Sequence, residues 1–67
     1  MKMQFKDNLK RLRVENNLTQ KQVAEQLSVS ETCYAHWEQG RSEPNIATLK
    51  ELCRILKVGI AELLCME

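Results

Sequence analysis

Three residues, Ser28-Val29-Ser30, separate two short helical patterns, and this spacing constrains the fold more than any other feature of the chain. The pattern before them opens with Thr19-Gln20-Lys21-Gln22, a T-x-x-Q capping box, and buries Val23, Ala24 and Leu27. The pattern after them starts at Ser30, a good N-cap, and runs over about 30–39 until Gly40 stops it. So short a link leaves two helices no room to lie comfortably side by side. They are expected to cross sharply.

The remaining stretches repeat the helical period. Phe5, Leu9 and Leu12 fall at i, i+4 and i+7, with Lys6, Lys10 and Arg11 elsewhere on the wheel. Asn16-Asn17 ends this first helix, because Asn is one of the few non-glycine residues that accept a left-handed cap. After the loop Arg41-Ser42-Glu43-Pro44, Asn45 caps a fourth helix carrying Ile46, Leu49, Leu52, Cys53 and Leu56. Gly59 opens a short fifth helix with Ile60, Leu63 and Leu64. Two Gly and one Pro are too few for a turn-rich or all-β chain, and 67 residues allow one core. The expectation is a compact, all-α, five-helix domain that takes in residues 1–67 as a single unit.

Several function classes are set aside by what the chain lacks. No apolar run approaches the 18 residues of a membrane span, and Met1 to Lys6 has no signal-peptide core. A soluble, cytoplasmic chain with no membrane partner is therefore expected. Cys33, Cys53 and Cys65 are odd in number and widely spaced, and they read as small buried thiols; redox sensing by Cys33 is the other reading. Cys33 and His36 stand at i, i+3 but supply only two of the four ligands of a structural zinc site, so no metal or cofactor is expected. Without a paired-carboxylate set, a Ser/His/Asp set or a phosphate-cradling glycine loop, the chain is read as not an enzyme.

The third helix carries the functional signal. With Glu31 set at zero and residues placed about 100° apart, the arc from roughly 0° to 140° holds Glu31, Thr32, Ala35, His36 and Gln39. The opposite arc holds Cys33, Tyr34 and Trp37. One face is bulky and apolar, suited to a core. The other is polar or small, as suits a major groove, where donors, acceptors and methyl groups are read. Net charge at first argues otherwise, since 10 Lys and Arg against 9 Asp and Glu leave only +1. Its distribution is more informative: residues 1–13 carry +4, residues 14–39 carry −3, and residues 40–58 carry +2. Positive charge flanks the third helix without residing on it, as expected if phosphates are gripped from both sides; an ordinary solvated surface of mixed charge is the other reading.

The run Leu18-Thr19-Gln20-Lys21-Gln22-Val23-Ala24-Glu25-Gln26-Leu27-Ser28-Val29-Ser30, then Trp37-Glu38-Gln39-Gly40-Arg41 and Pro44, resembles the Cro/C1-type (XRE) helix-turn-helix family. Thr48 to Cys53 and Leu56 to Leu64 are similar to its fourth and fifth helices, so the resemblance spans Leu9 to Leu64. It implies a lambda-repressor-like fold with the helix-turn-helix in helices 2 and 3. It also implies sequence-specific binding of double-stranded DNA by a transcriptional regulator of bacterial, phage or mobile-element origin, with repression by occlusion as the expected mode.

Residue by residue, the resemblance places Gln20 at a backbone phosphate within reach of a base, and Glu31, Thr32 and His36 at base-reading positions. Ala35 would permit close approach to a thymine methyl. Thr19, Gln39, Arg41 and Lys10 are the phosphate-binding candidates. Arg13 and Glu38 match an ion pair tying the first helix to the end of the third. Glu31 has two readings, acceptor for a cytosine amino group or carboxylate favouring the helix dipole. Lys57 stands where the family usually has Gly, so a left-handed turn there would be strained. Gly59 replaces a Ser cap, and Cys33 replaces a small hydroxyl residue.

Size argues for pairing. A 67-residue globule has a diameter of about 28 Å, while half-sites one helical turn apart lie about 34 Å centre to centre. A homodimer is therefore expected, formed in solution or only on DNA, with Leu63, Leu64 and Met66 as contact candidates. The competing function is a protein-binding module, an antitoxin or adaptor on the same fold with a protein partner. Glu31 and the low net charge favour it.

Overall fold

Three of the helices in this chain begin where a side chain takes over an orphan backbone N–H. In a computed structural model, which describes residues 4–64, the helices are α1 (Phe5–Glu15), α2 (Gln20–Leu27), α3 (Glu31–Gln39), α4 (Ile46–Leu56) and α5 (Ile60–Leu63). Thr19 Oγ1 accepts from the Gln22 N–H at 3.0 Å while Gln22 Oε1 accepts from the Thr19 N–H at 2.8 Å, the full capping box. Ser30 and Asn45 cap α3 and α4 by accepting from the backbone of Cys33 and Thr48. α1 and α5 start at Gln4 and Gly59 without such a bond.

Four helix ends share one device. Asn17, Ser28, Gly40 and Lys57 all have φ between 59° and 78°. In each case the next N–H returns to a carbonyl five residues back: Leu18 to Arg13, Val29 to Ala24, Arg41 to His36 and Val58 to Cys53. This is the Schellman arrangement, and Leu18, Val29 and Val58 add its hydrophobic contact by packing against the core. Three of the four left-handed residues carry a Cβ, and Lys57, exposed at φ 60°, is the least suited. Lys57→Gly is expected to stabilise the domain by about 1 kcal/mol, the relief of that strain less the extra freedom of the unfolded chain. In a thermal melt followed by circular dichroism this corresponds to a rise of about 4–8 °C. An unchanged or lower midpoint would contradict it.

The core is Leu9, Leu12, Val23, Ala24, Tyr34, Trp37, Leu52, Leu56 and Leu63, drawn from all five helices. Asn8 is buried with them; its Nδ2 donates to the carbonyls of Glu62 and Leu63, each at 2.7 Å, and its Oδ1 accepts from Arg11. Several expectations are corrected here. Ile46 is 72% and Ile60 47% exposed, because each is the first residue of its helix and leans past the end of the packed layer. Leu63 is wholly buried against the core and has no surface to offer a second copy. Leu64 is half-buried, and Met66 lies outside the described residues. Cys33 and Cys53 are free thiols at the margin of the core rather than inside it, with burial pushing the Cys53 thiol up; Cys65 lies outside the described residues. No helix among the described residues is long and apolar enough to cross a membrane.

Candidate nucleic-acid interface

The two faces of α3 have separate duties. Tyr34 and Trp37 turn inward and meet edge to face, ring centroids 5.7 Å apart at 71°. Glu31, Thr32 and Gln39 are exposed, and Ala35 and His36 half-buried. Together with Gln20 at the start of α2 and Arg41 beyond α3, these five line one open depression of about 400 Å³. All the base-reading candidates thus lie on a single surface, with Gln39 and Arg41 beside them. Thr19 and Lys10 do not line it. Thr19 is exposed with its oxygen committed to the α2 cap, and its hydroxyl hydrogen remains available to donate. Lys10 is exposed on α1. Neither Lys10 nor Arg41 has an ion-pair partner among the described residues, whereas Arg11 pairs with Glu15 and Arg54 with Glu51.

Behind this surface sits a buried polar hub. Glu38 Oε2 accepts from Arg13 Nε at 2.6 Å and from the Tyr34 hydroxyl at 2.6 Å. Its Oε1 accepts from Gln20 Nε2 at 2.9 Å and from Arg13 Nη2 at 3.3 Å. Arg13 also donates to the Leu18 carbonyl at 2.8 Å, so the hub joins α1, the α1–α2 link, the start of α2 and the end of α3. The Arg13 and Glu38 side chains are 12% and 3% exposed. Burial pushes the Glu38 carboxyl up, but the hydrogen bonds from Arg13, Tyr34 and Gln20 outweigh it and hold Glu38 below the ordinary carboxylate range. The Glu38 hydrogen bond raises the Arg13 guanidinium, and burial followed by the Glu38 bond raises the Tyr34 phenol.

Sequence reasoning did not reach the Gln20–Glu38 and Tyr34–Glu38 bonds. The i, i+4 spacing of Tyr34 and Glu38 was a usable signal for the second; nothing local announces the first. The Asn8 clasp had a signal too, since Asn8 occupies the i+3 place in the apolar stripe of Phe5, Leu9 and Leu12.

Residues 9–63 match the helix-turn-helix family model. The chain belongs to this family, in its Cro/C1 (XRE) branch. Among helix-turn-helix relatives, the transcriptional activator BcrR of Enterococcus faecalis is 46% identical over 65 residues, covering 97% of this chain and 32% of BcrR. The cryptic phage CTXphi transcriptional repressor RstR of Vibrio cholerae is 36% identical over 59 residues, covering 88% of this chain and 53% of RstR. The chain therefore spans about a third to a half of the length of these curated relatives. A transcriptional regulator from Listeria innocua superposes over the whole chain and 63% of its own, at TM-score 0.88 and 33% identity. The restriction-modification controller protein C.AhdI of Aeromonas hydrophila shares the fold at TM-score 0.81 and 22% identity, covering 88% of this chain and 89% of its own.

Proposed function

We propose that residues 1–67 act as one sequence-specific double-stranded DNA-binding unit of a cytoplasmic transcriptional regulator, reading the major groove with α3. One observation carries this reading. The donors, acceptors and small groups of Gln20, Glu31, Thr32, Ala35 and His36 share one open surface bordered by Gln39 and Arg41, while Tyr34 and Trp37 hold the same helix to the core. In this reading the exposed cations supply the grip on phosphate and the polar face of α3 supplies the choice of bases. Relatives named as transcriptional regulators weigh against the adaptor reading.

Repression by occlusion is the proposed mode, because it needs nothing beyond occupancy of the site. The unit is proposed to act as a homodimer on a pseudo-palindromic site. Its extents of 30 × 23 × 23 Å suit two copies on half-sites about 34 Å apart, and a few phosphate contacts from one copy bind weakly at physiological salt. Sedimentation that finds a monomer both free and on its site would sink this part.

The test begins by selecting bound duplexes from a random library. Thr32→Ala with His36→Ala is expected to relax base preference by about 1–3 kcal/mol per lost contact at the affected pairs. Arg41→Ala is expected to weaken all duplexes alike and to lower the salt slope by about one. If both variants bind the selected duplex as the wild type does, α3 is not the reading element.

A further inference from the structure

Gln20 meets the recognition surface from α2, and its amide is held from behind. Nε2 donates to Glu38 Oε1 at 2.9 Å. Glu38 is fixed in turn by Arg13 and Tyr34, and its side chain is nearly sealed from solvent. A carboxylate accepts and cannot donate, so only the NH2 end of Gln20 can face it. A side-chain amide that would otherwise be free to flip is thereby given one orientation. Gln20 Oε1 has no hydrogen-bond partner among the described residues, and one amide hydrogen remains to be used.

We infer that Glu38 is a positioning residue for base recognition: by fixing the Gln20 amide it makes Gln20 select adenine at one base pair of the bound site. This rests on the major-groove reading proposed above. Adenine presents the N6 amino donor and the N7 acceptor side by side, complementary to the free carbonyl oxygen and the remaining N–H of Gln20. Guanine presents two acceptors, O6 and N7, and sets one of them against the Gln20 oxygen. Thymine offers the O4 acceptor, and cytosine answers only the carbonyl half. A freely rotating amide could turn its NH2 group toward guanine; one tied to Glu38 cannot.

The experiment measures binding of the full chain, at fixed salt, to its selected duplex and to every single-base-pair variant of it. The wild type is expected to prefer adenine about tenfold or more at one pair. Gln20→Met is expected to lose that preference at that pair alone. In Glu38→Gln the amide can either accept from Gln20 or donate to it, so the same pair relaxes, with guanine gaining most. Tyr34→Phe removes another bond to the same carboxylate; it is expected to lower the melting temperature and leave the base profile unchanged.

A wild-type profile in Gln20→Met or in Glu38→Gln overturns the inference. So does an equal loss at every position in Glu38→Gln and Tyr34→Phe, which would mark general loosening. A reading on the wild type does not depend on any variant folding. By NMR, the Gln20 side-chain amide protons are expected to exchange with water more slowly than those of exposed Gln26. Equal rates overturn the inference. A wild type that selects no sequence at all overturns the major-groove reading with it, whereas selection with unchanged variant profiles overturns this inference alone.

Discussion

Glu38→Ala is expected to destabilise the domain by about 3–5 kcal/mol, the range for removing one partner of a buried ion pair. The reason lies in what stays behind. Arg13, with 12% of its side chain exposed, keeps its charge but loses the carboxylate that accepts from Nε and Nη2. The Tyr34 hydroxyl, on a fully buried ring, loses the one acceptor it has among the described residues. Stability of about 0.05–0.15 kcal/mol per residue is usual for native proteins, so such a loss takes a large share of the stability of a chain this short. Urea denaturation measures it directly, and a loss below about 1 kcal/mol would refute the hub as a main support.

The same hub sets a pH dependence whose sign can be worked out. The Glu38 carboxyl is held below its ordinary value of 4.5 in the folded state. A depressed carboxylate contributes stability that is fully present above the unfolded value and is lost as pH falls through the folded one. Acidification below about pH 4.5 should therefore weaken the wild type more steeply than Glu38→Gln, which has no proton to take up. Parallel curves for the two proteins would contradict the assignment.

Asn8→Ala is expected to cost about 2–3 kcal/mol, although no contact with DNA is assigned to Asn8. Its Nδ2 answers the Glu62 and Leu63 carbonyls at the end of α5. Alanine leaves these carbonyls without that donor and opens a small void. α5 is four residues long with no side-chain cap at its start, far too short to persist alone. Leu63 and Asn8 together hold it down. Asn8→Asp should be worse, because a buried carboxylate would face two carbonyl oxygens. Amide exchange along α5 should accelerate in both variants, along with a lower urea midpoint. Unchanged protection of α5 with a loss under about 0.5 kcal/mol would remove Asn8 from the account.

How much of this was legible in the sequence depends on the range of the interaction. The caps at Thr19, Ser30 and Asn45 and the stops at Asn17 and Gly40 are set by residues within five positions of each other, and the structure has them where local chemistry put them. The division of α3 into a core face and a polar face follows from the helical period alone. Tertiary approach is another matter. Asn8 meets Glu62 across 54 residues, and Gln20 meets Glu38 across 18. Ile46 and Ile60 show the opposite error: periodicity assigned them to the core, but a helix's first residue projects beyond the neighbours that would cover it. Leu63 read as a contact for another copy because it lies near the chain's end, whereas α5 folds back and spends it internally.

The four left-handed helix ends have a consequence for the DNA. Each is pinned by a backbone bond reaching back five residues, and three are anchored by an apolar side chain on the core. Corners built this way have little play, so the unit meets a duplex as a nearly rigid die. In the dimer proposed above, the adjustment needed to seat the two copies would then fall on the nucleic acid. In that arrangement the stiffness of base steps and the width of the minor groove between half-sites would enter the affinity without any side-chain contact there. Operator preference is expected to extend to bases that the protein never reaches.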